Sequence, residues 1–169
     1  STEGSRFDPR ERLWFKLAAA SSGPVWTPVY IDFGAKDLVL TRARRILSPL
    51  GQLEGVVAAD ISLRALNYFI SQLQLIEHGR AFIIEGDGSL IAATGMPNIH
   101  QGPDGKMERM SAANSQDLLI QAVYEKIRDV FSSNLPSNAP GTALLTDAKG
   151  SSIRIAYRRL GDGAGQEWM

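Results

Sequence analysis

The side chains that ordinarily carry covalent or metal chemistry are scarce in this chain. It contains no cysteine among 169 residues, which removes disulfides, thiolate metal ligands and thiol nucleophiles together. Its two histidines, His78 and His100, are separated by a hairpin pattern, and neither has a second histidine or cysteine at metal-ligand spacing. No metal and no cofactor is expected. The run Glu85-Gly86-Asp87-Gly88 lacks the alternating acids and the closing glutamate of a calcium loop. Its glycines do not form a phosphate cradle either, because the strand-like Ser89-Leu90-Ile91-Ala92 follows where a helix N-terminus would be needed. There is no G-x-S-x-G elbow and no H-E-x-x-H helix. A hydrolase would need a nucleophile, a base and an oxyanion stabiliser, or a metal, so the chain is expected not to be an enzyme.

Non-covalent binding remains. Lysine plus arginine balance aspartate plus glutamate at 18 each, so no electrostatic footprint points to nucleic acid or an anionic membrane surface. A small molecule or another protein is the expected partner. With 44% hydrophobic residues, the chain can bury one substantial core or two smaller ones packed end to end. No apolar run approaches the roughly 20 residues needed to span a bilayer, and the N-terminus lacks a basic region followed by an apolar stretch. The chain reads as soluble, with both ends as cuts in a longer sequence and Gln166-Glu167-Trp168-Met169 as the opening of a strand. The lack of cysteine leaves oxidising and reducing compartments equally open.

These side chains need elements to position them. Asp8-Pro9-Arg10-Glu11 places an acceptor, a proline and an acid where a helix start requires them, and the helix runs through Leu13, Trp14, Leu17 and Ala18 to a stop at Gly23-Pro24. Val25 to Phe33 and Leu38 to Ile46 read as strands divided by the turn Gly34-Ala35-Lys36-Asp37, with a third strand over Leu53 to Ile61. Ser62 caps an amphipathic helix in which Leu63, Leu66, Phe69, Ile70, Leu73 and Ile76 recur at helical spacing, ending at Gly79. A second block opens with a hairpin over Arg80 to Thr94, followed by a loop from Gly95 to Met110. Residues 115 to 132 form another helix, with Leu118, Leu119, Ala122, Val123, Ile127, Val130 and Phe131 on its buried side. A proline-bearing linker from Leu135 to Gly141 leads into a last hairpin. Ala81 to Ser89 and Ala143 to Ser151 align without a gap in a shared strand-turn-strand pattern, either as a repeat or as common hairpin chemistry. The expected fold class is α+β, with antiparallel sheets flanked by helices and a division near residue 77.

The segment Phe7-Asp8-Pro9-Arg10-Glu11-Arg12-Leu13-Trp14-Phe15-Lys16 resembles the stretch of double Cache (dCache-type) sensor domains that reads roughly Y-D-P-R-x-R-P-W-Y-K. Trp26 to Asp32, Gly55 to Leu63 and the Arg80 to Ala92 hairpin follow in the family's order, so the resemblance covers nearly the whole chain. It implies two PAS-like Cache modules: a partial, ligand-binding membrane-distal module over residues 1–77 and a membrane-proximal module over 78–169. The family's long N-terminal helix and the first distal strands are missing. It further implies the periplasmic part of an inner-membrane receptor in signal transduction or chemotaxis. The parent would be membrane-anchored and dimeric through N-terminal helices, with an output domain this segment does not name.

In the amino-acid-binding branch of that family, the matching positions are Arg12, Trp14, Phe15, Tyr30 and Asp60; Asp32, on the same hairpin as Tyr30, is a weaker binding candidate whose expected role is a solvated charge. The chemistry suits a zwitterion: a guanidinium and an indole N–H grip a carboxylate, while a carboxylate and a phenol hold an ammonium group. Rings between them exclude water and strengthen each polar contact. Arg12 and Trp14 are two apart and would face different sides of a regular helix, so they converge only if Arg12 precedes it. The chain departs from the family at Leu13, where proline would start the helix, and at Phe15, where tyrosine would add a hydroxyl. A missing polar partner changes specificity strongly, so an amino acid, a carboxylate, an amine or a purine-like ligand all stay open. The structural alternatives are a surface ion pair for Arg12 and Asp60 and core aromatics for Trp14, Phe15 and Tyr30. A ligand-free protein-interaction module is the competing function; it predicts a closed or filled distal cavity.

Overall fold

The computed structural model describes residues 7–73, 79–130, 138, 140–147, 149–161 and 167–169. Asp8 accepts a hydrogen bond from the Arg10 backbone N–H at 2.9 Å and opens a single 3₁₀ turn over Pro9–Glu11. The α-helix proper, α1 (Leu13–Ala20), starts only after Arg12, whose backbone is extended. It ends before Gly23-Pro24, at Ser21.

The first sheet is built around β3 (Leu38–Leu47), which pairs antiparallel along its whole length with β4 (Leu53–Ser62). The other edge of β3 is taken in succession by β1 (Val25–Trp26) and β2 (Tyr30–Ile31). Thr27-Pro28-Val29 interrupts this edge strand, where a proline without an N–H is tolerated. Thr27 bridges the break: its N–H donates to the Thr41 carbonyl at 2.9 Å, and its hydroxyl accepts from the Thr41 N–H at 3.0 Å. α1 lies across β3 and β4, and Ala18 on it and Ala43 on β3 are both buried. Among the described residues β4 has no partner on its outer edge, and Leu53, Val57 and Ile61 on it are exposed.

α2 (Arg64–Ser71) is shorter than its periodicity predicts. Leu63, Leu66 and Ile70 face inward, but Phe69 is 60% exposed, because a single buried stripe at three-and-four spacing leaves position 69 beside it rather than on it. Beyond it come β5 (Phe82–Ile84), β6 (Leu90–Ala93), β7 (Ile99–Gln101) and β8 (Met107–Arg109). The segment 95–110, expected as a loop, therefore contains a hairpin. Its strands show little apolar alternation and are held by the turn and by Asn98, whose side-chain amide donates to the Ile91 carbonyl at 2.7 Å.

α3 (Leu118–Ile127) is capped by Asp117, which accepts from the N–H groups of Leu119 and Ile120. The cap fixes the stripe as Ile120, Val123, Tyr124 and Ile127, and Leu118, expected inside, is 75% exposed. β9 (Pro140–Thr146) and β10 (Ser152–Arg158) form the last long hairpin, where the Tyr157 ring lies across Gly141. β11 (Leu160–Gly161) pairs with β12 (Glu167–Trp168), and Met169 exchanges backbone hydrogen bonds with Ile84. Ile76, His78, Phe131, the division at residue 77 and most of the linker from Leu135 fall outside the described residues.

The gap-free alignment of Ala81 to Ser89 with Ala143 to Ser151 has its cause in one turn used four times. Glu85 N–H to Ser89 carbonyl with Gly88 N–H to Glu85 carbonyl is matched by Asp147 with Ser151 and Gly150. The same two bonds close Ser48 to Gln52 and Gly102 to Lys106. In each, the fourth residue is a glycine with φ between 79° and 84°, the left-handed position that a five-residue bulged turn requires. Shared hairpin chemistry accounts for the likeness.

Two cores result. One gathers Ile84, Leu90, Ala112, Ile120, Val123, Tyr124, Ile127 and Ile155, the other Val29, Leu38, Leu40, Leu63 and Ile91. β6 is buried throughout, and its neighbouring residues Leu90 and Ile91 belong to different cores.

Candidate functional site

Directly opposed residues of an antiparallel pair share a face of the sheet. The register Thr41↔Asp60 and Tyr30↔Val39 therefore puts Tyr30, Thr41 and Asp60 on one face of the first sheet. Further along that face, Arg45 donates to the Ala19 carbonyl at 3.4 Å, so this is the face α1 covers. The Tyr30 Oη lies 2.8 Å from Thr41 Oγ1, and Thr41 Oγ1 donates to Asp60 Oδ1 at 2.7 Å. Thr41 is fully buried, Tyr30 half-buried and Asp60 exposed.

Burial pushes the Tyr30 phenol above its ordinary pKa, and the charges of Asp60 and Asp32 push the same way, against the Arg12 cation. Four of the six expected site residues, Arg12, Tyr30, Asp32 and Asp60, thus share one electrostatic neighbourhood centred on this phenol. Arg12 precedes α1, the condition its spacing from Trp14 demands, and its guanidinium lies over the rings of Phe7 and Phe33 at 5.8 and 5.6 Å. Arg12 and Asp60 form no ion pair with each other. No side chain caps the first N–H groups of α1.

Asp32 serves its own turn. Its Oδ2 accepts from the N–H groups of Gly34 and Ala35 at 2.9 and 2.6 Å, closing the chain reversal before β3. Trp14 and Phe15 are half-buried and form their own edge-to-face pair with ring centroids 5.8 Å apart. Neither makes a ring contact with Tyr30 among the described residues. An open groove of about 500 Å³ lies elsewhere, at the far end of β3 and β4, lined by Ser22, Arg44, Arg45, Ile46, Leu47 and Val57. None of the expected site residues lines it. Among the described residues no cluster of histidine or carboxylate side chains could hold a metal ion.

Sequence reasoning missed Thr41 and Phe33. Thr41 joins the site only through the register of β3 and β4, including its shift near Leu47, which sets it against Asp60. Phe33 had only its place at a turn beside an expected pocket to mark it.

Antiparallel sheets flanked by helices, with a polar cluster on the helix-covered face of the first sheet, make this an α+β fold of the Cache and PAS-like kind. Residues 1–68 match the model of the family described as methyl-accepting chemotaxis protein-like, first PDC sensor domain. The chain is 29% identical over 147 residues to the methyl-accepting chemotaxis protein PscA of Pseudomonas syringae pv. tomato, covering 87% of itself and 19% of that receptor. It is 32% identical over 108 residues to PctB of Pseudomonas aeruginosa, covering 62% of itself and 15% of PctB. Among solved structures, the ligand-binding domain of the P. aeruginosa amino acid chemoreceptor PctC in complex with GABA superposes with a TM-score of 0.58 at 22% identity, over 99% of this chain and 63% of that one. The PctB domain in complex with L-Arg superposes with a TM-score of 0.52 at 25% identity, over 98% and 59%. The chain thus spans a small part of its receptor relatives and less than two thirds of their sensor domains.

Proposed function

We propose that this chain is the extracytoplasmic, ligand-sensing part of a membrane-anchored chemotaxis-type receptor, and that it binds an amino acid or a related amine in the distal module, residues 1–77. The observation that carries the reading is the hydrogen-bonded chain Tyr30–Thr41–Asp60 on the sheet face that α1 covers, with the Arg12 cation acting on the same phenol. Asp60 has an oxygen with no hydrogen bond from a described residue, suited to an ammonium group. The uncapped N–H groups of α1 and the Arg12 guanidinium offer a carboxylate both dipole and charge. Phe7 and Phe33 hold the guanidinium from the sides, which lowers the freedom it loses on binding. Trp14 and Phe15 supply the apolar wall. Asp32 acts on the site through its field, its carboxylate being occupied by the turn.

The domain does no chemistry on the ligand: binding favours one arrangement of the sensor over another, and the receptor reads the difference. Among the described residues the outer edge of β4 has no partner strand and exposes Leu53, Val57 and Ile61, a surface suited to further packing in the receptor. Calorimetric titration with GABA, L-alanine, L-leucine, L-serine and L-arginine tests the reading. Saturable binding that Asp60→Ala abolishes for amines and Arg12→Ala abolishes for carboxylates supports it. Binding unchanged in both variants, or none in the unaltered chain, overturns it.

A further inference from the structure

Thr41 has no role assigned so far beyond linking two site residues, yet its hydrogen-bond arithmetic constrains both. A threonine hydroxyl carries one hydrogen, and a carboxylate only accepts. The 2.7 Å contact with Asp60 Oδ1 therefore uses the single Thr41 proton. The 2.8 Å contact between Tyr30 Oη and Thr41 Oγ1 then has one possible direction, with the phenol donating. Thr41 cannot rotate away to reverse this order. It is fully buried, and its backbone is pinned to Thr27 by hydrogen bonds in both directions, at 2.9 and 3.0 Å.

We infer that Thr41 is a positioning residue that sets the hydrogen-bond polarity of the site, so that Tyr30 and Asp60 present only lone pairs to a ligand and select one that brings N–H donors. This deepens the reading above and rests on it. A tyrosine with a free hydroxyl proton would serve an amine or a carboxylate equally well. With its proton directed inward to Thr41, the same phenol repels a carboxylate oxygen and accepts from an ammonium group. The ligand class follows: a primary ammonium at the Tyr30–Asp60 end, with any carboxylate placed towards Arg12. A deaminated analogue leaves two acceptors unpaired there, and unmatched polar groups in a binding site discriminate strongly.

The test compares the unaltered chain with Thr41→Ser and Thr41→Val, using GABA, L-alanine and L-leucine against butyrate, propionate and isocaproate. Thr41→Ser keeps the hydroxyl and should hold amine affinity within about threefold. Thr41→Val is nearly isosteric and should weaken amine binding about tenfold. It should also narrow the ratio of amine to deaminated affinity, because Tyr30 regains a proton to offer. A purely structural role would weaken both ligand sets alike and leave the ratio unmoved, which overturns the inference while the binding site stands. Failure of the unaltered chain to bind any amine overturns both. Should Thr41→Val not fold, nuclear magnetic resonance of the unaltered chain decides. A slowly exchanging Tyr30 hydroxyl proton with a cross-peak to the Thr41 methyl supports the inference, and a rapidly exchanging one refutes it.

Discussion

Replacing Arg109 should destabilise the protein far more than an ordinary surface arginine would. Its guanidinium pairs with Glu85, and both side chains are only 17% exposed. It also donates to the Val29 carbonyl at 3.1 Å and the Leu90 carbonyl at 3.3 Å, so one side chain on β8 ties the edge of the first sheet to β6. Arg109→Met leaves the Glu85 carboxylate half-desolvated without its partner. Removing one member of a buried pair typically costs about 3–5 kcal/mol, and the residual exposure places this case near the low end, at about 3 kcal/mol. Glu85→Met should cost a similar amount, because it orphans the cation. The double variant carries no unmatched charge, so its loss should fall short of the two single losses summed by at least about 1.5 kcal/mol. Urea unfolding near neutral pH, followed by tryptophan fluorescence and far-ultraviolet circular dichroism, measures all three. A single-variant loss below about 1 kcal/mol, or strict additivity, would show the pair to behave as a solvated surface contact and would refute the reasoning.

Asp117→Ala should cost about 1 kcal/mol through loss of the α3 cap. Burial alone would raise the Asp117 carboxyl, but hydrogen bonds from Arg80, Leu119 and Ile120 outweigh it and hold the group below its ordinary value. The folded pKa is depressed, so this stability is present above the unfolded carboxylate pKa and lost as pH falls through the folded one; unfolding curves of the variant and the parent should converge in acid and stay parallel at neutral pH. Lys36 holds φ at 49°, a left-handed conformation costly for a side-chain-bearing residue, so Lys36→Gly should raise stability by about 0.5 kcal/mol once the added freedom of the unfolded chain is deducted. A lower melting temperature in that variant would contradict the turn geometry. Gly141→Ala should destabilise by about 1–3 kcal/mol, because a β-carbon there would meet the Tyr157 ring at 2.2 Å; Gly141→Ala combined with Tyr157→Leu should recover part of the loss in thermal denaturation.

Turns and long hairpins were the most legible part of the sequence, because their requirements are local. Gly51, Gly88 and Gly150 sit where the backbone must turn left-handed, and strands follow on either side. The hairpin of β7 and β8 was hidden because Ile99-His100-Gln101 and Met107-Glu108-Arg109 show no apolar alternation; it is held by a turn and by contacts distant in sequence. In α3 the difficulty was phase: the apolar residues allow two overlapping stripes, and the Asp117 cap chooses the one through Ile120 and Tyr124. At the site, Arg12, Tyr30 and Asp60 could be named from local motifs and a family resemblance. Thr41 could not, since a threonine within a strand is unremarkable until pairing sets it between a phenol and a carboxylate. Phe33 gains meaning only when the turn brings it back over Arg12.

The strand β6 has a thermodynamic consequence. Since its adjacent residues Leu90 and Ile91 are committed to opposite hydrophobic interiors, neither interior can open without stripping a wall from the other. The molecule is therefore built to melt in one step, with sheet and helices lost together, and a disturbance beside Tyr30 meets a partition that both halves must share.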